Sequence, residues 1–319
     1  MSQPAARHLL SVAHRRLGRR GWGVLLGLCW LACVLVGWRL WRHEQVVHHM
    51  LHPARQALTA EERAQAQARL PGLREVSFNT TDGLTLRGWY VPSHSGAAVV
   101  MVHGAGANRA WFLEEAVALS QRGLGVLLYD NRANGESDGD TQTWGDHEQD
   151  DLRGALDFVQ AQPDVDPQRL GAVGFSIGAY TVAMVAAQDP RIRAVVLKAV
   201  WTSLPDELLF MAGPTGRFNA WLLGQEFSWA GVRLDRVHPG DLVAAIAPRP
   251  LLVVAGDQDR DAPMSVSRAV YEAAREPKQW RLIPGATHVD YERLGGDALH
   301  QQVAQFFCRG LASKVPAAL

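Results

Sequence analysis

Gly174-Phe175-Ser176-Ile177-Gly178 decides how the rest of this chain is read. The apolar run 170–175 leading into it has the length and composition of a buried strand. The alanine-rich stretch 179–188 after it has helical spacing. Glycines two residues to either side of the serine leave room for a tight strand-to-helix turn. That turn lifts the serine hydroxyl out of the sheet, and backbone N–H groups at the helix start can face a developing negative charge. Gly and Ser are common in loops, so the pentapeptide gains its weight from its place between a strand and a helix.

Working outward, further apolar runs at 97–102, 126–130, 194–200, 251–255 and 279–283 read as strands, and helices fall near 110–122, 146–162, 178–188, 263–275 and 296–311. Short apolar runs interleaved with helices predict a mostly parallel sheet covered on both faces, an α/β architecture. Before them, the alternating runs 73–80 and 84–91 are joined by Thr81-Asp82-Gly83, an antiparallel hairpin signal. Residues 201–247 break the alternation and are longer than a connection needs, which predicts a helical lid. Its apolar residues include Trp201, Phe210, Met211, Trp221 and Phe227. Packing of an ordinary helical insertion and the lining of an apolar acyl pocket are both compatible with them.

A serine hydroxyl attacking a carbonyl needs a base, and the base needs an orienting acid. Two loops at the carboxyl ends of strands supply these residue types: Gly256-Asp257-Gln258-Asp259-Arg260-Asp261-Ala262-Pro263 and Pro284-Gly285-Ala286-Thr287-His288. Open α/β sheets place their sites at this edge.

With Val102-His103-Gly104-Ala105-Gly106 and the stretch Asp130-Asn131-Arg132-Ala133-Asn134-Gly135-Glu136-Ser137, these segments occur in order at sheet-compatible spacing. Over nearly all of residues 73–312 the chain resembles the serine α/β-hydrolase superfamily, and more narrowly its dienelactone-hydrolase and prolyl-oligopeptidase-like branch. Ala133 departs from the glycine many relatives carry, in a loop away from the triad. The resemblance implies Ser176 as nucleophile, His288 as general base and then acid, and a carboxylate orienting His288. Asp259 is the choice, with Asp261 the spare and Asp257 close to the strand end. It also implies an oxyanion hole from the N–H groups of Ile177 and Ala105. His103 reads as a loop-shaping residue, and Asp130 and Arg132 as pins of the neighbouring loop.

The chain's 32 basic and 32 acidic residues balance, so no global field recruits nucleic acid. Cys29, Cys33 and Cys308 form neither a disulfide framework nor a zinc pattern, and neither metal nor organic cofactor is required. Residues 22–41 read as a transmembrane helix with tryptophans near both ends. The seventeen uncharged residues 22–38 span ~26 Å as a helix, somewhat less than a ~30 Å hydrocarbon core. Arg39 and Arg42 can snorkel to make up the difference. The expected organisation is a basic cytoplasmic segment 1–21, the span 22–41, a helical stalk 42–72 and a catalytic domain 73–319 on the extracytoplasmic side. His48, His49 and His52 in the stalk read as residues of a solvated helix. Together these features point to a membrane-tethered hydrolase of a small-molecule ester or thioester. A serine peptidase is the rival enzyme reading, and a non-catalytic binding module on the same fold is the rival outside enzymes.

Overall fold

The apolar runs become the middle of an eight-stranded sheet. The computed structural model describes residues 19–213 and 216–312, without the side chains of residues 19, 20, 36 and 39–43. Strands β1 (Arg74–Asn79), β2 (Thr85–Val91), β3 (Ala98–Val102), β4 (Gly125–Tyr129), β5 (Leu170–Phe175), β6 (Ile192–Lys198), β7 (Leu251–Gly256) and β8 (Lys278–Ile283) lie in the order β1-β2-β4-β3-β5-β6-β7-β8. β1 and β2 pair antiparallel with Asn79 opposite Thr85, β2 pairs antiparallel with β4, and every later pairing is parallel. All residues of β3, β4, β5 and β7 are buried, as interior strands of a doubly covered sheet must be. β1 alternates towards exposure and β8 is half-buried, which suits the two edges.

Helices cover the sheet. They are α1 (Arg19–Leu51), α2 (Ala60–Arg69), α3 (Leu113–Ser120), α4 (Glu148–Gln160), α5 (Ile177–Gln188), α6 (Leu204–Met211), α7 (Gly216–Trp229), α8 (Met264–Ala273) and α9 (Tyr291–Gly310), with shorter turns between them. α5 is buried from Ile177 to Ala186, so it reads as apolar on every side. The helix expected at 110–122 divides into a 3-10 turn Arg109–Phe112, capped by the Asn108 side chain on the Ala110 N–H, and α3. α9 starts five residues before the expected 296, because Gly296 (φ 49°, ψ −155°) interrupts an otherwise continuous helix.

Two units divide the chain, Met1–His48 and His49–Leu319. In the first, the described part of α1 exposes Leu26, Leu28 and Trp30. Among the described residues no helix is long and apolar enough to cross a membrane. The expected span 22–41 includes positions 36 and 39–41, whose side chains lie outside the description, and most of the basic segment 1–21 lies outside it entirely.

The second unit begins at His49 rather than at residue 73. Residues 49–72, read as part of a stalk, are folded onto the hydrolase unit. The capping box at Thr59 and Glu62 starts α2, and Leu58, Ala66 and Leu70 are buried. Arg63 pairs with Glu75 and Glu136, Arg69 with Glu114, and Arg55 Nη1 donates to the Ser137 carbonyl. A polar helix held by such pairs has the composition of a solvated one, so its sequence does not disclose the attachment.

Candidate active site

β5 delivers Ser176 at its carboxyl end in a backbone conformation rare for a residue with a side chain, φ 54° and ψ −122°. The Ser176 N–H donates to the Lys198 carbonyl (2.9 Å), and its own carbonyl accepts from Ala179 N–H (2.8 Å). Both flanking glycines are sterically required. A Cβ on Gly174 would collide with the Gly178 carbonyl, and one on Gly178 with the Val102 and His103 carbonyls. The sharp turn therefore depends on residues 174 and 178 together.

The loops after β7 and β8 meet at this point. His288 Nε2 is 3.1 Å from Ser176 Oγ, and His288 Nδ1 is 2.9 Å from Asp259 Oδ2. Asp259 is buried, and its Oδ1 accepts from the N–H groups of Asp261 (2.9 Å) and Ala262 (2.7 Å). The Tyr291 hydroxyl donates to Asp259 Oδ2 (2.9 Å) and accepts from Gly256 N–H (2.7 Å). Burial alone would raise the Asp259 carboxyl; the hydrogen bond and charge of His288, with the Ala262 and Tyr291 donors, outweigh it and hold the carboxyl below its ordinary range. The other two carboxylates of the loop face elsewhere. Asp257 Oδ1 accepts from Gly285 N–H (2.6 Å), and Asp261 is exposed.

His103 is buried and joins two loops. Its Nδ1 lies 2.7 Å from the Gly104 carbonyl, and its Nε2 accepts from Asn131 N–H (3.0 Å). Burial pushes its pKa down, so the ring is neutral, with Nδ1–H donating to Gly104. A Cβ on Gly104 would approach Ser176 Cβ to 3.3 Å, which puts the loop carrying Ala105 directly beside the nucleophile. Ile177 is the first residue of α5, directly after Ser176. Asp130 and Arg132 lie in ion-paired positions behind these loops. Arg109 Nη1 donates to Asp130 Oδ2 (2.7 Å), and Arg132 pairs with Asp151 (2.7 Å) and Asp82 (2.9 Å).

The five lid residues separate. Trp201 is buried beside the acid loop, where its Nε1 donates to the Asp261 carbonyl (3.0 Å), and Phe210 stands 5.2 Å from it, ring to ring. Phe227 is buried against Trp144 at 6.0 Å. Trp221 lines an outer groove between α6 and α7 with Leu208, Leu209 and Arg217, and Met211 is exposed. Two polar residues of this region escaped the sequence reading. Glu207, in the first turn of α6, accepts a hydrogen bond from the Tyr180 hydroxyl. Burial pushes the Glu207 carboxyl up to about 7, against the opposing effects of Tyr180 and His288. Tyr291 likewise carried no signal beyond its place three residues after His288.

The side chains of Asp82, His147 and Asp150 lie within 4.8 Å of one another. Asp82 and Asp150 are already engaged by Arg132 and Arg153, so the group reads as part of an ion-pair network.

The sheet order, the turn at Ser176 and the helical layers define an α/β hydrolase. The family described as serine aminopeptidase, S33, matches residues 93–246. The uncharacterised protein Rv2307c of Mycobacterium tuberculosis is 34% identical over 247 residues, covering 76% of this chain and 81% of the relative. The chain belongs to that protein's family within the α/β-hydrolase superfamily. A polyketide transferase, ATR5 of Stachybotrys chlorohalonatus, is 29% identical, covering 68% of this chain and 90% of its own. Among solved structures, the Pyrococcus furiosus esterase Pf2001 superposes with a TM-score of 0.67 at 21% identity, covering 82% of this chain and 98% of the esterase.

Proposed function

We propose that this hydrolase is a serine esterase or thioesterase that works through an acyl-enzyme on Ser176. The observation that carries the reading is the continuous relay Ser176 Oγ–His288 Nε2 (3.1 Å) and His288 Nδ1–Asp259 Oδ2 (2.9 Å). In the first half-reaction His288 Nε2 takes the Ser176 proton as Oγ adds to the carbonyl carbon. The carbonyl oxygen gains the negative charge and is met by the Ile177 and Ala105 N–H groups, each donor contributing ~3–4 kcal/mol. Collapse expels the alcohol or thiol, which leaves with the proton His288 held. Water then adds to the acyl-enzyme with His288 again as base, and the acid is released as Ser176 recovers its proton. Asp259 stays ionised and holds the imidazole in the Nδ1–H tautomer. The apolar lid residues Trp201 and Phe210, beside the acid loop, suit an acyl or aromatic substrate portion better than a highly charged one.

Hydrolysis of p-nitrophenyl esters from acetate to laurate, wild type beside Ser176→Ala, tests this. Activity lost in the variant supports it; equal activity in both refutes the nucleophile. The family description as serine aminopeptidase supports a second reading, cleavage of a peptide bond at an amino terminus. Turnover of aminoacyl p-nitroanilides without ester turnover would select it. A folded protein inert to both, and unreactive at Ser176, would be a binding module.

The apolar stretch 22–38 further supports a tether to a membrane, with 1–21 cytoplasmic and the hydrolase unit across it. Arg7, Arg15, Arg16, Arg19 and Arg20 precede the stretch, against Arg39, Arg42 and Arg55 after it. A C-terminal reporter active only in the periplasm checks the orientation; a silent, well-expressed fusion would contradict it.

A further inference from the structure

Tyr291 opens α9 and is fully buried, with its ring 5.4 Å from that of Phe175 in an edge-on contact. Its hydroxyl is fixed at both ends, accepting from Gly256 N–H and donating to Asp259 Oδ2. That oxygen is the one facing His288 Nδ1, at the same 2.9 Å. The carboxylate therefore has two donors on each oxygen, Asp261 and Ala262 on one and His288 and Tyr291 on the other.

The next residue ties the same turn to the nucleophile. Glu292 Oε1 pairs with Lys198 Nζ (2.7 Å), and the Lys198 carbonyl is the acceptor for the Ser176 N–H. Lys198 is wholly buried between Glu292 and Glu115, and His300 holds the other Glu292 oxygen at 2.8 Å. One helical turn thus touches both the loop of the acid and the strand end beside the serine.

We propose that Tyr291 is a positioning residue of the relay: its hydroxyl orients the Asp259 carboxylate and shares the charge on Oδ2 that His288 would otherwise receive alone. The inference rests on the serine-hydrolase reading above. A donor on a carboxylate stabilises its charged form and withdraws charge from its other partners. Without the Tyr291 hydroxyl, Oδ2 would attract the positive charge that His288 gains during turnover more strongly. The orientation would also loosen in the step where His288 gains its charge. Two further ionisable groups lie nearby: Glu207 on α6, which accepts from Tyr180 and interacts with His288, and Asp261 on the acid loop, whose carboxylate is exposed. Neither is changed by the test.

The test uses the full chain and p-nitrophenyl butyrate, with kcat and KM followed from pH 5 to 9. Tyr291→Phe is expected to lower kcat about tenfold, about 1.4 kcal/mol, with KM unchanged. Its acid limb should move up by roughly half a pH unit. An acid limb that stays in place, or a rise in KM at constant kcat, overturns the proposal. Because Phe leaves the Gly256 N–H without its acceptor, a second form guards against misfolding. 3-Fluorotyrosine in place of Tyr291 keeps the ring and both hydrogen bonds but is the stronger donor, so its acid limb should move down. No movement, or movement upward, overturns the proposal. Ser176→Ala distinguishes the two levels. If it keeps activity, the relay reading fails and this inference with it; if it is inactive while both Tyr291 forms leave the profile unmoved, only the inference fails.

Discussion

The carboxyl edge of the sheet and the helical lid over residues 201–247 are built on opposite terms. At the edge, polar side chains are buried and held from several sides: His103 between two loops, Asp130 under Arg109, and Asp259 with four donors. Leaving such groups unpaired costs kilocalories each, so the edge has one geometry or none. In the lid, Phe210, Phe218, Trp221 and Trp229 are half or more exposed. Dispersion and burial tolerate many arrangements of such residues. Under the proposed function, bond-making falls to the edge and choice of substrate to the lid, and the two should respond separately to mutation.

The largest expected effects are at the edge. Ser176→Ala or His288→Ala should lower kcat by about 10⁶-fold, and Asp259→Asn by about 10⁴-fold, in ester turnover. An active Asp259→Asn beside an inactive Asp261→Asn would break the description of the acid loop. Next comes the ion pair behind the loops. Asp130→Ala leaves the buried Arg109 guanidinium with Glu136 alone and the Arg109 and Glu136 N–H groups without their acceptor, and should cost about 3–5 kcal/mol in chemical denaturation; a loss below 1 kcal/mol would show that the edge is not held in this way.

Lid changes should be smaller and selective. Trp201→Ala should shift the ratio of kcat/KM between long and short p-nitrophenyl esters by about tenfold while activity on acetate persists. An equal loss on every ester would erase the division of labour. The smallest effect concerns Glu207, whose folded carboxyl is raised to about 7 from an ordinary value near 4.5. The folded state binds that proton more tightly, so the stability it contributes is complete below the unfolded value and lost as pH rises through about 7. Glu207→Gln keeps an acceptor for Tyr180 and cannot ionise. Its melting temperature should fall less than wild type between pH 5 and 8, and an unchanged slope would remove Glu207 from the account.

What the sequence disclosed follows the same division. Parallel interior strands announce themselves as apolar runs, and Gly174 and Gly178 mark a turn that no larger residue fits, so the sheet and the elbow were readable. Asp-Gly at 82–83 likewise marked the hairpin, where Gly83 takes φ 91°. Contacts made by polar or aromatic residues across long separations were not readable. Arg63 and Arg69 look solvated until Glu75, Glu136 and Glu114 arrive beside them. The extra turn of α9 was hidden by Gly295-Gly296, which reads as a helix boundary rather than a break within one. Tyr291 was indistinguishable from a core aromatic, because only the fold brings its hydroxyl to Asp259.

The proposed function stands on one covalent step, the acylation of Ser176. Mixing the protein with p-nitrophenyl acetate, quenching in acid within the first turnover and mapping peptides by mass spectrometry tests it directly. One acetyl group is expected on the peptide containing Ser176, absent in Ser176→Ala and accumulating in step with the p-nitrophenol burst. Turnover with an unmodified Ser176, or with the acetyl group on another residue, would contradict it.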